Sequence, residues 1–133
     1  MPVTAVFAED HEGVVVTCNG IVTGDELVDA NARVAACVSC RYQLWDFTAT
    51  TRVVAGAEAI HRLAIQDSAI PEWAALEKIA VIGREESVEE LTKFYELYSS
   101  AWVGRRRDYA VRQFSIREQA LAWLGVIEPP ASG

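Results

Sequence analysis

A carboxylate and three hydroxyls stand close together at Asp46, Thr48, Thr50 and Thr51, where the run Tyr42-Gln43-Leu44-Trp45-Asp46-Phe47 ends. An apolar strand that leads into such a group delivers polar side chains to a surface, and in α/β sheets ligands bind beyond the carboxyl ends of the strands. Hydroxyls and backbone donors at a helix entrance favour negative charge, so the group suits a small polar ligand or an anion. The same side chains also satisfy the backbone of an ordinary turn, a reading that needs no ligand.

Cys37-Val38-Ser39-Cys40 has the spacing of redox and metal motifs. A redox pair relies on a helix N-terminus to stabilise its thiolate, whereas these residues close the first expected helix, where the dipole has the opposite sign. A structural zinc needs two further ligands from Cys18, His11 and His61, which lack metal spacing. Neither role is expected. His11 reads as a turn residue and His61 as a partly covered residue beside a helical stripe, since the sequence pairs neither with a carboxylate. No Ser-His-Asp order, glycine-rich phosphate loop or i, i+4 histidine pair occurs. Glu85-Glu86 and Glu89-Glu90 fall in a first helical turn, where negative charge serves helix stability alone. No catalytic residue, cofactor or metal is therefore assigned, and the chain is read as non-enzymatic.

The elements that must position these residues follow from periodicity. Strands are expected over Val3 to Ala8, Val14 to Val22 with an interruption at Asn19-Gly20, Tyr42 to Phe47, Glu77 to Gly83 and Tyr109 to Phe114. Thr23 with Glu26, Ser87 with Glu90 and Ser115 with Glu118 each place a hydroxyl and a carboxylate three apart, the reciprocal pair that opens a helix. Leu27, Ala30, Val34 and Val38 form the inner face of the first helix, and Ala57, Ile60 and Ala64 that of a second running from Val54 to about Ile65. Leu91, Phe94, Tyr95, Tyr98 and Trp102 form an aromatic stripe on the third helix, and Ala120, Trp123 and Leu124 lie on the fourth.

With 133 residues, 51% hydrophobic and 23% charged, the chain fits one globular domain. Its net charge of −7 excludes the electrostatic attraction on which nucleic-acid binding rests. Arg105-Arg106-Arg107, followed by Asp108, reads as a solvated loop. No signal-type leader and no apolar run of about 18 residues is present, so no membrane insertion is expected. Three cysteines, an odd number, argue against a secreted disulfide framework, and a cytoplasmic location is expected.

The chain resembles the STAS superfamily and, within it, the SpoIIAA-like group of small bacterial proteins. The resemblance is carried by Gly20-Ile21-Val22-Thr23, by Tyr42 to Phe47 with its strand Asp46, by Lys78-Ile79-Ala80-Val81-Ile82-Gly83, and by Val111-Arg112-Gln113-Phe114 leading into Glu118-Gln119-Ala120-Leu121-Ala122-Trp123-Leu124. It implies an α/β fold: a mixed five-stranded sheet with about four helices in a βα superhelix, forming one domain over 1–127; the composition of Glu128-Pro129-Pro130-Ala131-Ser132-Gly133 reads as a flexible tail at 128–133. Anti-sigma-factor antagonists of this superfamily carry a phosphorylated serine at the start of the helix after the third strand. Matched on Asp46, that position falls on Val54-Ala55-Gly56-Ala57, where there is no hydroxyl.

The expected function is a binding or regulatory module acting through a protein partner. The alternative is a carrier or sensor of a small apolar or lipid-like ligand. The ligand or partner surface is assigned to Asp46, Thr48, Thr50, Thr51 and Gly83, which ends the fourth strand. Val14-Val15-Val16, Leu44-Trp45 and Ile79-Ala80-Val81-Ile82 are apolar at consecutive positions, so both sheet faces need cover. If right-handed crossovers put most helices on one face, a homodimer partner is expected on the other, with Trp45 and Phe47 at the dimer face. The competing arrangement is a helix folded back across it.

Overall fold

A computed structural model describes residues 3–8, 12–71, 74–83 and 109–126. The strands are β1 (Val3–Phe7), β2 (Gly13–Thr23), β3 (Tyr42–Val54), β4 (Lys78–Ile82) and β5 (Ala110–Phe114), and the described helices are α1 (Gly24–Ala35), α2 (Ala57–Ser68) and α3 (Arg117–Leu124). The five strands lie in chain order, β1-β2-β3-β4-β5, with β1 antiparallel to β2 and every later pair parallel. The aromatic stripe from Leu91 to Trp102, His11, Arg105 to Arg107, the glutamate pairs at 85–90 and the tail at 128–133 lie outside the described residues.

The Thr23–Glu26 pair caps α1 as its spacing requires: the Glu26 amide donates to Thr23 Oγ1 at 3.3 Å, and the Thr23 amide donates to Glu26 Oε1 at 2.9 Å. Leu27, Ala30 and Val34 are buried along that helix, which ends at Ala35, short of Val38. The third reciprocal pair does not form. The last helix begins at Arg117 with Ile116 as its N-cap, so Glu118 falls one residue too early to reach back, and Ser115 lies outside the cap.

The main departure from the expected elements lies in β3. β2 runs through Asn19-Gly20 as expected, the interruption there being a bulge, whereas β3 extends through the threonines, beyond its expected end at Phe47, to Val54. Two register shifts absorb the mismatch. Partners move from Thr17 and Asp46 to Asn19 and Ala49, and again from Gly20 and Thr50 to Ile21 and Arg52, so β3 carries an extra residue at each step. Gly20 adopts a φ of 65° within this stretch, a backbone state that glycine enters at no steric cost. The β-branched run Thr50-Thr51-Arg52-Val53-Val54 favours extended backbone, which delays α2 to Ala57 with Gly56 as N-cap. Ala57 is exposed, and Leu63 joins Ile60 and Ala64 on the buried face.

Strand parity sorts the core into two layers. Val16, Cys18, Trp45, Phe47, Ile79, Val81 and Val111 point to the face where Leu27, Val34 and Leu63 of α1 and α2 pack. Tyr42, Leu44, Ala80, Ile82 and Phe114 point to the other, where Ala120, Leu121 and Leu124 of α3 cover them. The second face of β3, β4 and β5 is thus closed by a helix folded back across it. Trp45 and Phe47, expected at a dimer face, are 8% and 4% exposed and lie on the opposite side, stacked with ring centroids 6.5 Å apart. That assignment is corrected: alternation places both rings with Gln43, under the chain's own helices.

Polar contacts hold α3 at its far end. Arg41 Nη1 donates to the Leu124 carbonyl at 2.9 Å and Lys78 Nζ to the Trp123 carbonyl at 2.6 Å. Both cations meet the negative end of the helix, each such contact contributing about 0.3–1 kcal/mol.

Candidate functional site

Asp46 lies where β4 and β5 end, level with Ile82 of β4 and, through it, Phe114 of β5. It is not in a loop: β3 continues beyond it in company with β2 alone. Thr48 donates to Asp46 Oδ1 twice, from its amide at 2.9 Å and its hydroxyl at 2.6 Å. Arg117, the first residue of α3, brings Nη1 to 3.1 Å from Oδ2. Both carboxylate oxygens are thereby engaged, one by the bulge of its own strand and one by a cation that only the returning helix supplies.

The remaining assigned residues separate. Thr50 is half-buried and donates to the Cys18 carbonyl at 2.9 Å, which bridges β2 and β3 at the irregular step. Thr51 is exposed farther along the arm. Gly83 is buried at the end of β4; its amide donates to the Phe114 carbonyl at 3.0 Å, and its own carbonyl accepts from Gln113 Nε2 at 2.8 Å. The structure therefore joins Asp46 and Thr48 to each other, adds Arg117, and leaves Thr50, Thr51 and Gly83 as neighbours with other bonds. Arg117 carried no signal in the sequence: a helix folded back across the sheet was one of the arrangements open, but nothing in the spacing pairs a residue with Asp46 across 71 positions.

The Cys18 thiol is buried beside this group. Burial first, and then the negative charges of Asp46 and Glu26, push it up to about 12, which keeps it protonated and unreactive. Val54, Ala55, Gly56 and Ala57 span the end of β3 and the start of α2, the location implied for the phosphorylated serine of the antagonists, and no hydroxyl stands there. His61 is half-buried on α2. Among the described residues no group of three or more His, Cys, Asp or Glu side chains is placed to hold a metal ion, and no helix is long and apolar enough to cross a membrane.

The cysteine pair departs from expectation. Cys37 and Cys40 are joined as a disulfide, with their Cα atoms 5.7 Å apart. Their position past the end of α1 disfavours a thiolate, as expected, but does nothing to prevent the bond once the turn brings the two sulfurs together.

Beyond Asp46 the β2–β3 arm has one covered and one open side. Val22 and Val53 are opposite each other and buried. Ile21 with Arg52, and Thr23 with Val54, alternate with that pair and are exposed, Ile21 at 61% and Val54 at 48%. Among the described residues, those of this open side that follow Gly20 and Thr51 are all exposed where they alternate with Val22 and Val53.

No protein-family model matches the chain, and no curated protein matches it. Among solved structures, an uncharacterised DUF3478-family protein from Shewanella loihica PV-4 with a SpoIIAA-like fold is similar over 92% of this chain and 91% of its own, with a TM-score of 0.54 and 15% sequence identity. At that identity the likeness is one of fold. The five-stranded mixed sheet with helices on both faces is, on that likeness, a SpoIIAA-like fold.

Proposed function

We propose that the protein is a non-enzymatic binding module of regulatory type whose partner is another protein, docked on the open side of the β2–β3 arm. The observation that carries this reading is the arm itself. Two strands continue past the rest of the sheet, anchored by Val22 and Val53 on one side, and present Ile21, Arg52 and Val54 on the other. An apolar pair beside a cation, on backbone held rigid by pairing, suits a protein surface better than a small molecule. The apolar cleft bordered by Ala5, Phe7, Val14 and Val34 measures about 140 Å³, and a second hollow of about 320 Å³ beside Val54 is bordered by Thr23, Asp25, Glu58 and Arg62. The polar border of the second hollow does not suit an apolar ligand. The engagement of both Asp46 oxygens by Thr48 and Arg117 supports a positioning role for that carboxylate rather than a catalytic one.

Photocrosslinking tests the reading. A photoreactive residue in place of Ile21 is expected to give one discrete protein adduct in cells, while the same residue at exposed Ala122 on α3 gives none. The adduct is expected to disappear on adding Val54→Lys to the crosslinking chain. Equal labelling at both positions, or none at Ile21, overturns the assignment. Sedimentation separates the two kinds of partner: a dimer that Val54→Lys dissociates identifies a second copy, and a monomer identifies a different chain.

A further inference from the structure

We propose that Cys37 and Cys40 form a reversible thiol–disulfide site, reduced and re-formed by exchange with low-molecular-weight thiols and disulfides through Cys37. The two sulfurs differ in access. Cys37 is half-buried and borders the cleft formed with Phe7, Val14, Arg33 and Val34, whereas Cys40 is 3% exposed. Of the two, Cys37 is therefore the residue that an incoming thiolate meets first. Arg33, one helical turn before Cys37 on the same cleft, places a cation beside that approach, which favours an anionic thiol in a chain whose net charge otherwise repels it.

The exchange runs in two steps. A thiolate attacks Cys37 Sγ; the Cys37–Cys40 bond breaks as the mixed disulfide forms, and the Cys40 sulfur leaves as a thiolate that takes a proton from water. A second thiolate attacks the small-molecule sulfur of the mixed disulfide. It releases the oxidised small disulfide and the Cys37 thiolate, which is protonated in turn. Two thiols are oxidised and one protein disulfide is reduced; the reverse, driven by the small disulfide, restores the ring.

Two features make the bond exchangeable rather than permanent. It closes a ring with two residues between the cysteines, so the chain entropy that stabilises longer disulfide loops is at its smallest. Cys18, the remaining thiol, is buried and protonated, and so does not compete by reshuffling. The ring also carries structure: the Val38 carbonyl within it accepts the Ala75 amide at 2.8 Å, tying the connector before β4 to the end of α1. Opening the ring loosens that tie.

The test is a titration of the full chain in glutathione redox buffers, followed by acid quenching, alkylation and mass spectrometry. The expected result is a single two-electron transition in which Cys37 and Cys40 gain alkyl groups together while Cys18 stays unmodified until the chain is denatured. Hydrogen exchange at the Ala75 amide is expected to quicken in the reduced form. Cys40→Ser should accumulate a glutathione adduct on Cys37, and Cys37→Ser none on Cys40. A disulfide that persists under fully reducing glutathione, two free thiols in the fully oxidised buffer, or an adduct on Cys40 overturns the proposal. The wild-type titration decides even if a cysteine variant fails to fold.

Discussion

Arg117 Nη1 stands 3.1 Å from Asp46 Oδ2, joining the first residue of the last helix to the middle of the third strand across 71 positions of sequence. Arg117 is 39% exposed at its side chain and Asp46 13%, so water screens one partner more than the other. A double-mutant cycle of Arg117→Ala and Asp46→Ala, read by denaturant unfolding, is expected to give a coupling of about 0.5–1 kcal/mol. The single change Asp46→Ala should cost more than Arg117→Ala, because it also deprives the Thr48 amide of its acceptor. A coupling of zero would show that this ion pair contributes nothing to the docking of α3.

Trp45 tests which face of β3 is interior. Its ring is buried against Phe47 and its Nε1 donates to Gln43 Oε1 at 3.0 Å. Trp45→Ala is expected to destabilise the chain by about 3–5 kcal/mol, and Trp45→Glu to unfold it. Circular dichroism of a folded, soluble Trp45→Glu chain would contradict the burial.

Asp67 makes stability depend on pH. It lies between α1 and α2, 5% exposed, and accepts from Asn31 Nδ2 at 2.9 Å, while the same amide also donates to Gln66 Oε1 at 2.9 Å. Burial pushes its carboxyl up from 3.8 to about 7, with the Asn31 hydrogen bond pulling the other way. A value raised on folding means that the native state favours the neutral acid. The contribution is full below 3.8 and is lost as pH rises through about 7. Asp67→Asn, which keeps the acceptor oxygen and has no charge to bury, should therefore be more stable than wild type at about pH 8, by on the order of 1–3 kcal/mol, with a smaller gap at about pH 5. Thermal melts of both chains at the two values check the sign.

Gly24 sets the spacing of the two helices on that face. A Cβ there would stand 2.6 Å from the Ala59 Cβ, closer than two carbons pack. Gly24→Ala is expected to push α1 from α2 at a cost of about 1–3 kcal/mol, measured by denaturant unfolding. Gly24→Ala with Ala59→Gly should recover part of it, since the clash lies between those two carbons.

The sequence by itself determined what depends on near neighbours. Thr23 and Glu26 cap α1 because a reciprocal cap needs only their spacing, and the apolar run Ile79-Ala80-Val81-Ile82 is a strand because consecutive apolar residues suit a sheet covered on both sides. The order of these elements carried the fold, since right-handed crossovers leave a chain of βα units few arrangements.

Tertiary structure decided the rest. Whether Thr48 to Thr51 form a loop or a strand depended on β2 running beside them, a partner 29 or more positions away that local propensity does not register. Which face held Trp45 depended on where α3 returned, and that return also delivered Arg117 to Asp46. The candidate site was legible as a carboxylate beside a hydroxyl and illegible as an ion pair. The hydroxyl comes from two residues along the same strand, while the cation arrives by a long-range packing of apolar surfaces that no spacing in the sequence encodes.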